Sequence, residues 1–272
     1  MVKVIPLKYG TVFKRVFGKP TVFQAFAEDV LGVELNITKV HTEYEYPEQI
    51  GFVKTRYDLF AEDPEHRVLI EIQHVKEEDF FDRFLYYHLI SLAEQVKNYT
   101  DYSYVRTVYT IVVLTSVPRD GSVRFSCAVS DMSPVDERGE RVPVYPHRLV
   151  FLVPRLVNEK TPERVRGWLE LIADSLDGEV EEGEHSRRLF QEMIEEIKKR
   201  GVTPEELAEI KDDAAWEKAK ARFRAEGIEE GRKQEAVEIA KRLLDVLDDE
   251  TISQKTGLGI TEVKALRETL AQ

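Results

Sequence analysis

The segment RYDLFAEDPEHRVLIEIQ, residues 56–73, brings two carboxylates and an amide into one short stretch. Its alternating apolar residues predict a β-hairpin with DPEH, residues 63–66, as the loop. Pairing across that loop places Asp58 directly opposite Glu71, with their Cβ atoms about 4.5–5.5 Å apart on one face. Gln73 lies two residues beyond Glu71 and shares that face. The opposite face, which we assign to the core, carries Leu59, Val68, Ile70 and Ile72.

Two ionised carboxylates this close repel each other and raise at least one pKa unless positive charge compensates. Arg83, on the next predicted helix, is one candidate for that charge. A divalent cation such as Mg²⁺ or Mn²⁺ is the other, because these ions prefer oxygen ligands. Such an ion would use Asp58, Glu71 and a main-chain carbonyl near Ile72. The alternative is a solvated pair on an edge strand, since a loop one residue longer would turn Asp58 to the opposite face.

The composition restricts where and on what this chemistry could act. The 272 residues include 39 Lys and Arg and 51 Asp and Glu, a net charge of −12, so any contact with a polyanion must be local. A single cysteine, Cys127, excludes an internal disulfide and argues against a Cys/His zinc site. The sequence opens without a signal-peptide run, and no segment reaches the roughly 20 apolar residues of a membrane span. We therefore expect a cytoplasmic protein without membrane contact.

Apolar periodicity predicts the elements that must position the acidic pair. Helical spacing predicts two helices before the hairpin, interrupted at residues 18–20, and one after it over residues 80–96. Runs rich in β-branched residues predict three further strands, over residues 107–116, 123–130 and 148–153. This order predicts an α/β or α+β fold in which a mixed central sheet is flanked by helices.

A change in composition predicts three regions. Aromatic and β-branched residues crowd residues 1–155, which we assign to the domain that carries the acidic pair. For residues 156–202 we predict a helical extension that contains an acidic connector, residues 177–185. The acidic residues of this connector do not have the spacing of a calcium-binding loop. For residues 203–272 we predict an all-α region, in which a long helix precedes a pair of short helices of helix-turn-helix size.

The charges of that helical pair argue against sequence-specific DNA reading. Its second helix carries Glu262, Lys264, Arg267 and Glu268, whose signs cancel, and has no Asn or Gln near its start. We therefore expect a structural or oligomerising role for the pair. DNA reading stays the less favoured alternative.

A set of motifs along the chain resembles one protein family. In chain order they are Phe13-Lys14 with Phe17-Gly18, Asp58, Glu71-Ile72-Gln73, Arg83 with Tyr86 and Tyr87, and Gln95. Their order and spacing resemble the PD-(D/E)XK nuclease family transposases, also called the recombination-promoting nuclease (Rpn) family. The resemblance covers most of the chain. It departs from the family pattern at Gly10, where the family has an Asp, and at Gln73, which stands in the place of the superfamily's lysine.

The resemblance implies a restriction-endonuclease-like core and a metal-dependent DNA endonuclease. Asp58 and Glu71, with the Ile72 carbonyl, would hold Mg²⁺ or Mn²⁺, which polarises the phosphate and lowers the pKa of the attacking water. Gln73 would orient that water. Because Gln73 has no charge, another residue must supply the catalytic cation. The candidates are Lys54, Lys76 and Arg83, of which we favour the last two.

The same resemblance implies DNA as the partner and a link to recombination or mobile elements. Two active sites are the simplest way for such a fold to cut both strands, so we expect a homodimer formed through the C-terminal helical region. Two alternatives stay open. One is an inactive descendant that acts as a DNA-binding or protein-interaction module, which Gly10 and Gln73 would favour. The other is an RNA-cleaving or toxin-like nuclease with the same metal chemistry.

Overall fold

The computed structural model describes residues 1–48, 53–74, 80–96, 102–117, 121, 123–198 and 204–270. Two compact units divide the chain, Met1–Ile210 and Lys211–Gln272. Within the described ranges, no helix is both long and apolar enough to span a membrane. The domain boundaries expected at residues 155 and 202 stay predictions.

Strands in the described part of the first unit form one large sheet and one small one. In chain order they are β1 (Val2–Lys3), β2 (His41–Tyr44), β3 (Tyr57–Glu62), β4 (His66–Gln73), β5 (Thr107–Leu114), β6 (Cys127–Asp131), β7 (Arg148–Leu152) and β8 (Glu179–Val180). The large sheet has the order β2-β3-β4-β5-β7-β6, and β1 pairs with β8. Strands β4, β5 and β7 run parallel, whereas β2-β3, β3-β4 and β6-β7 are antiparallel pairs. The predicted α/β fold with a mixed sheet is confirmed.

Helices cover both faces of the large sheet. Those of the first unit are α1 (Gly10–Phe17), α2 (Pro20–Leu31), α3 (Phe80–Ala93), α4 (Glu163–Ser175) and α5 (Arg188–Ile197), with short 3₁₀ turns at Pro154–Leu156 and Glu182–Glu184. Helix α6 (Pro204–Leu243) begins in the first unit, and α7 (Asp249–Thr256) and α8 (Ile260–Leu270) belong to the second. The helices predicted on either side of the hairpin are confirmed.

The side chains of β5 alternate between two apolar cores, one on each face of the large sheet. Ile111 and Val113 belong to a large apolar cluster with residues of α1, α2, α4 and α5. Val112 and Leu114 pack on the other face with Phe84 of α3. Successive strand residues point to opposite faces, so a strand buried on both faces is apolar throughout. Helices α1 and α3 therefore lie in opposite layers.

Trp168 of α4 joins the helices of the larger layer. Its buried ring packs against Phe17, Phe26 and Phe190, with centroid distances of 6.1, 5.1 and 4.9 Å. The indole N–H donates to Asp29 Oδ2 at 2.7 Å, which satisfies the only polar atom of the ring. Burying one phenylalanine side chain contributes about 1.5–3 kcal/mol. Helices α4 and α5 thus share a core with α1 and α2.

The strand predicted over residues 123–130 is wrong at its N-terminal end. Strand β6 begins at Cys127, which pairs with Leu152, the last residue of β7. Residues before Cys127 have no β7 residue left to continue the ladder. Ser126 instead places its hydroxyl 2.7 Å from that of Thr161, and its carbonyl accepts from the Val153 N–H at 2.8 Å.

In the second unit, α6, α7 and α8 enclose a small apolar core. Its buried residues are Ala240, Leu244, Ile252, Leu258 and Val263. Helix α7 begins after Asp248, whose side chain accepts from the Thr251 N–H at 2.9 Å. It ends at Gly257, whose φ of 76° is a left-handed conformation that glycine adopts without a Cβ clash.

Two of the charged side chains on α8 have partners inside this unit. Arg267 donates to the Leu247 carbonyl and to Asp249 Oδ1, both at 2.8 Å. Glu262 pairs with Lys233 at 2.9 Å. These contacts support the structural role expected for the helical pair.

Candidate active site

The hairpin of β3 and β4 has the register predicted from the sequence. Leu59 pairs with Ile70, Phe60 with Leu69, Ala61 with Val68, and Glu62 with Arg67. The loop closes where the Asp63 N–H donates to the His66 carbonyl at 2.9 Å. Asp63 Oδ1 accepts in return from the His66 N–H at 2.6 Å. The core assignment of Leu59, Val68 and Ile70 is confirmed by their burial in the large cluster.

The ladder between β3 and β4 opens beyond the Leu59–Ile70 pair, at Asp58 and Glu71. There the main-chain N–H of Asp58 donates to Glu71 Oε1 at 3.3 Å. The N–H of Ile72 donates to Asp58 Oδ2 at 2.9 Å. Side-chain carboxylates thus accept from N–H groups that would bond to carbonyls in a continuous ladder. The two acidic side chains lie next to each other where the strands separate.

Tyr57 shows why the strands separate at this point. Its hydroxyl donates to the Tyr87 carbonyl of α3 at 3.0 Å, and its ring packs against those of Tyr46 and Tyr87. Tyr57 therefore lies on the α3 side of the sheet in one cluster with Phe60, so the strict alternation of β3 ends at Asp58. Strand β4 meanwhile stays paired with β5 as far as Gln73.

Glu43 of β2 lies on the other side of Asp58. In the register of β2 with β3, the position opposite Asp58 is that of Glu43. Its φ of 53° is unusual for a residue with a Cβ and costs about 1–2 kcal/mol. The Glu43 carboxylate binds Lys14 of α1 through Oε1 and Arg56 through Oε2, the latter at 3.0 Å. A cation from α1 is thereby held at the acidic end of β3.

Sequence reasoning missed Glu43 as a site residue and did not place Lys14 beside the acidic pair. The signals for Lys14 were its place in the Phe13-Lys14 motif and its membership of a basic cluster, Lys8, Lys14, Arg15 and Lys19, which could contact phosphates or equally form a solvated helix face. Glu43 is separated from Asp58 by a connection of more than ten residues, so no turn of defined length fixes its partner. The pairing of β2 with β3 therefore could not be obtained by the arithmetic that worked for the hairpin.

Gln73 and Arg83, both predicted site residues, are brought together in the structure. Arg83 Nη2 donates to Gln73 Oε1 at 3.4 Å, and the guanidinium lies 5.0 Å from the Phe84 ring centroid and 5.7 Å from that of Tyr87. Of the other cation candidates, Lys54 pairs with Glu45 at 2.5 Å and has a side chain that is 63% exposed. Lys76 lies outside the described residues.

The acidic pair lies in an environment that disfavours its charge. Glu71 is only 2% exposed, and burial followed by the charge of Asp58 raises its pKa well above the usual value. Burial also raises the pKa of Asp58, although the hydrogen bond from the Ile72 N–H and the charge of Lys14 oppose that shift. Arg83 lowers both pKa values. The acidic pair thus lies between cations from two helices, Lys14 of α1 and Arg83 of α3.

The donors present fit a hard divalent cation. Asp58 and Glu71 each have a second carboxylate oxygen that accepts no hydrogen bond from the described residues. Together with the Ile72 carbonyl they would give an all-oxygen set, which Mg²⁺ and Mn²⁺ prefer. In the described ranges no three His, Cys, Asp or Glu residues come close enough to hold a metal, so the remaining ligands would be water and substrate oxygens.

A mixed sheet with a buried acidic pair at the opening of two central strands defines a nuclease-type fold of the PD-(D/E)XK class. The chain matches the family described as PD-(D/E)XK nuclease family transposase over residues 8–221, well over half of its length. It belongs to that family, as the motifs predicted. No curated protein and no solved structure gives a significant match.

Proposed function

We propose that the protein is a metal-dependent endonuclease that hydrolyses phosphodiester bonds of DNA. The observation that carries the proposal is the buried Asp58–Glu71 pair, whose two pKa values are raised and whose carboxylates lie at the opening of the β3-β4 ladder. Such a pair requires a positive partner to ionise fully. A hydrated divalent cation meets that requirement, and nuclease chemistry uses one.

In this proposal Asp58, Glu71 and the Ile72 carbonyl would hold Mg²⁺ or Mn²⁺. The bound ion would polarise the scissile phosphate and lower the pKa of the attacking water. Gln73 would orient that water, and its side chain is itself positioned by Arg83, whose Nη2 donates to Gln73 Oε1 at 3.4 Å. Arg83 would also offset the charge that develops on the phosphate. Lys76 stays a second candidate for that charge.

The proposal includes DNA contact by a small number of cations and a cytoplasmic homodimer joined through the C-terminal helical region. The net charge of −12 argues against binding through a general basic surface, which supports local contact. A role in recombination or mobile elements follows from the family description alone. Sedimentation velocity of the full chain tests the dimer: a single species at the monomer mass over the working concentration range would contradict it.

A plasmid-nicking assay tests the activity. Supercoiled DNA with Mg²⁺ or Mn²⁺ should be nicked by the parent chain and not by Asp58→Ala or Glu71→Ala, whereas Glu137→Ala, an exposed acidic residue away from the pair, should match the parent. Nicking that is equal in all four proteins would assign the activity to a contaminant. Absence of nicking together with retained DNA binding would favour the inactive binding module, and preferential cleavage of RNA in competition would favour the toxin-like alternative.

A further inference from the structure

We propose that Lys14 of α1 is a second cationic catalytic residue, which contacts the scissile phosphate, and that Glu43 is its positioning residue. This inference rests on the proposed nuclease function. It identifies where a cation can come from in a site whose motif lysine is replaced by Gln73. Arg83 approaches the acidic pair from the α3 layer, and Lys14 would approach it from the opposite one.

The position of Lys14 follows from three consecutive contacts. Its Nζ binds Glu43 Oε1, and Glu43 stands opposite Asp58 in the register of β2 with β3. Asp58 in turn lies beside Glu71 through the hydrogen bond from its N–H to Glu71 Oε1. The field of Lys14 accordingly lowers the pKa of Asp58, ahead of every other charged group. The ammonium group thus lies next to the place where an ion and a phosphate would bind.

The fold presents this lysine in a restricted environment. Phe13 and Phe17 are fully buried and fix the face that α1 turns to the core. The Lys14 side chain is 21% exposed, so its charge is screened less by water than that of a surface lysine. A Cβ at Gly10 would lie 3.9 Å from both Cε and Nζ of Lys14, so position 10 borders the ammonium group.

Glu43 forms ion pairs with two cations, so it can position Lys14 and still keep a partner when Lys14 moves to substrate. Its positive φ turns the residue out of regular strand geometry, and its two oxygens bind different cations, Lys14 and Arg56. When Lys14 turns toward a phosphate, Glu43 keeps Arg56 as a partner, so release leaves no unpaired carboxylate. The ion pair therefore orients the Lys14 side chain, and breaking it to bind a phosphate costs little free energy.

Kinetics of four variants test the inference. Lys14→Met should lower kcat about 100-fold with little change in KM, because the contact acts on charge that develops in the transition state. Lys14→Arg should recover most of that loss. Glu43→Gln should lower kcat about tenfold, since the cation stays but is less well positioned. Lys19→Met is the matched control: Lys19 forms a comparable ion pair with Glu196 at 2.5 Å, away from the acidic pair.

Metal titration and thermal unfolding separate the outcomes. Lys14→Met should bind Mn²⁺ at least as tightly as the parent, because a positive charge near the carboxylates is removed. It should also unfold at a temperature close to that of Lys19→Met. A kcat equal to the parental value in Lys14→Met, or no recovery in Lys14→Arg when both are folded, would overturn the role of Lys14 alone. A parent chain without Asp58-dependent nicking would overturn this inference together with the proposed function.

Discussion

The carboxylate of Glu71, a proposed metal ligand, is unfavourable for the fold that buries it. It is buried beside Asp58 in an apolar strand, and burial is the main reason why its pKa is raised. The folded chain therefore holds a proton over a pH range in which the unfolded chain has lost it. Folded-state stability contributed by this residue is complete below about pH 4.5 and falls as the pH rises above that value.

Glu71→Gln should therefore stabilise the metal-free protein while it abolishes nicking. The amide keeps an oxygen that can accept from the Asp58 N–H but carries no charge to be buried. At about pH 8 we expect the free energy of unfolding to be higher in the variant than in the parent, because the variant has no carboxylate to ionise in a buried position. Urea unfolding at that pH and near pH 4.5 measures the difference. A variant less stable than the parent at the higher pH would contradict the charge argument.

His88 of α3 should give the opposite pH dependence. It is fully buried, its Nδ1 lies 2.9 Å from Thr110 Oγ1, and burial followed by the charge of His147 lowers its pKa from 6.5 to about 4. The unfolded chain binds a proton between these values and the folded chain does not, so stability is lost as the pH falls through this window. The loss should reach about 3 kcal/mol at pH 4.

Urea unfolding of the parent and of His88→Gln over that window checks the assignment. The variant has no group to protonate at this position, so its free energy of unfolding should change less steeply below pH 6.5. Identical slopes in the two proteins would mean that His88 is not the titrating group.

At the scale of elements, local pairing was predictable and distant pairing was not. Four residues separate Glu62 and Arg67, the last pair of the β3-β4 hairpin, so loop length and alternation predicted its register and put Asp58 beside Glu71. Strand β2 joins β3 through a long connection, and the start of β6 depends on where β7 ends. Neither depends on a local pattern. The location of Lys14 beside Asp58 could not be predicted for the same reason, because its contact there is with Glu43 of β2.

Gly18 directly follows α1 and lies against the main chain of Lys14. A Cβ there would lie 2.4 Å from the main-chain carbonyl oxygen of Lys14, so Gly18→Ala must displace the last turn of α1. We expect a loss of about 1–3 kcal/mol of stability and a fall in kcat, because Lys14 moves with that turn. Gly183→Ala, where a Cβ would meet nothing within 4 Å, is the control and should stay within about 0.5 kcal/mol of the parent.

A Gly18→Ala protein with parental stability would show that the helix end can shift freely. Differential scanning calorimetry of the parent and the two glycine variants provides the comparison. Parental kcat in a destabilised Gly18→Ala protein would instead separate the helix end from the chemistry.

At the scale of the whole molecule, composition bears on the kind of contact that the protein could make with a polyanion but not on where that contact lies. A net charge of −12 argues against binding through a general basic surface, and the two cations described at the acidic pair are held by other side chains, Lys14 by Glu43 and Arg83 by Gln73. Residue counts cannot show such pairings, because they depend on which helix covers which face. The α/β class and the mixed sheet followed from element order, whereas the sharing of one core by α2 and α4 required packing through Trp168.

This charge distribution leads to a specific salt dependence of DNA binding. If only two or three cations contact phosphates, the logarithm of the binding constant should fall with the logarithm of salt concentration with a slope of about −2 to −3. Fluorescence anisotropy with Mg²⁺ and the non-cutting Glu71→Gln protein measures this slope. Adding Lys14→Met should reduce its magnitude by about 1, whereas adding Lys19→Met should leave it unchanged. A slope of about −6 or steeper would show that many more phosphates are contacted, and binding would then have to involve basic residues far from the acidic pair.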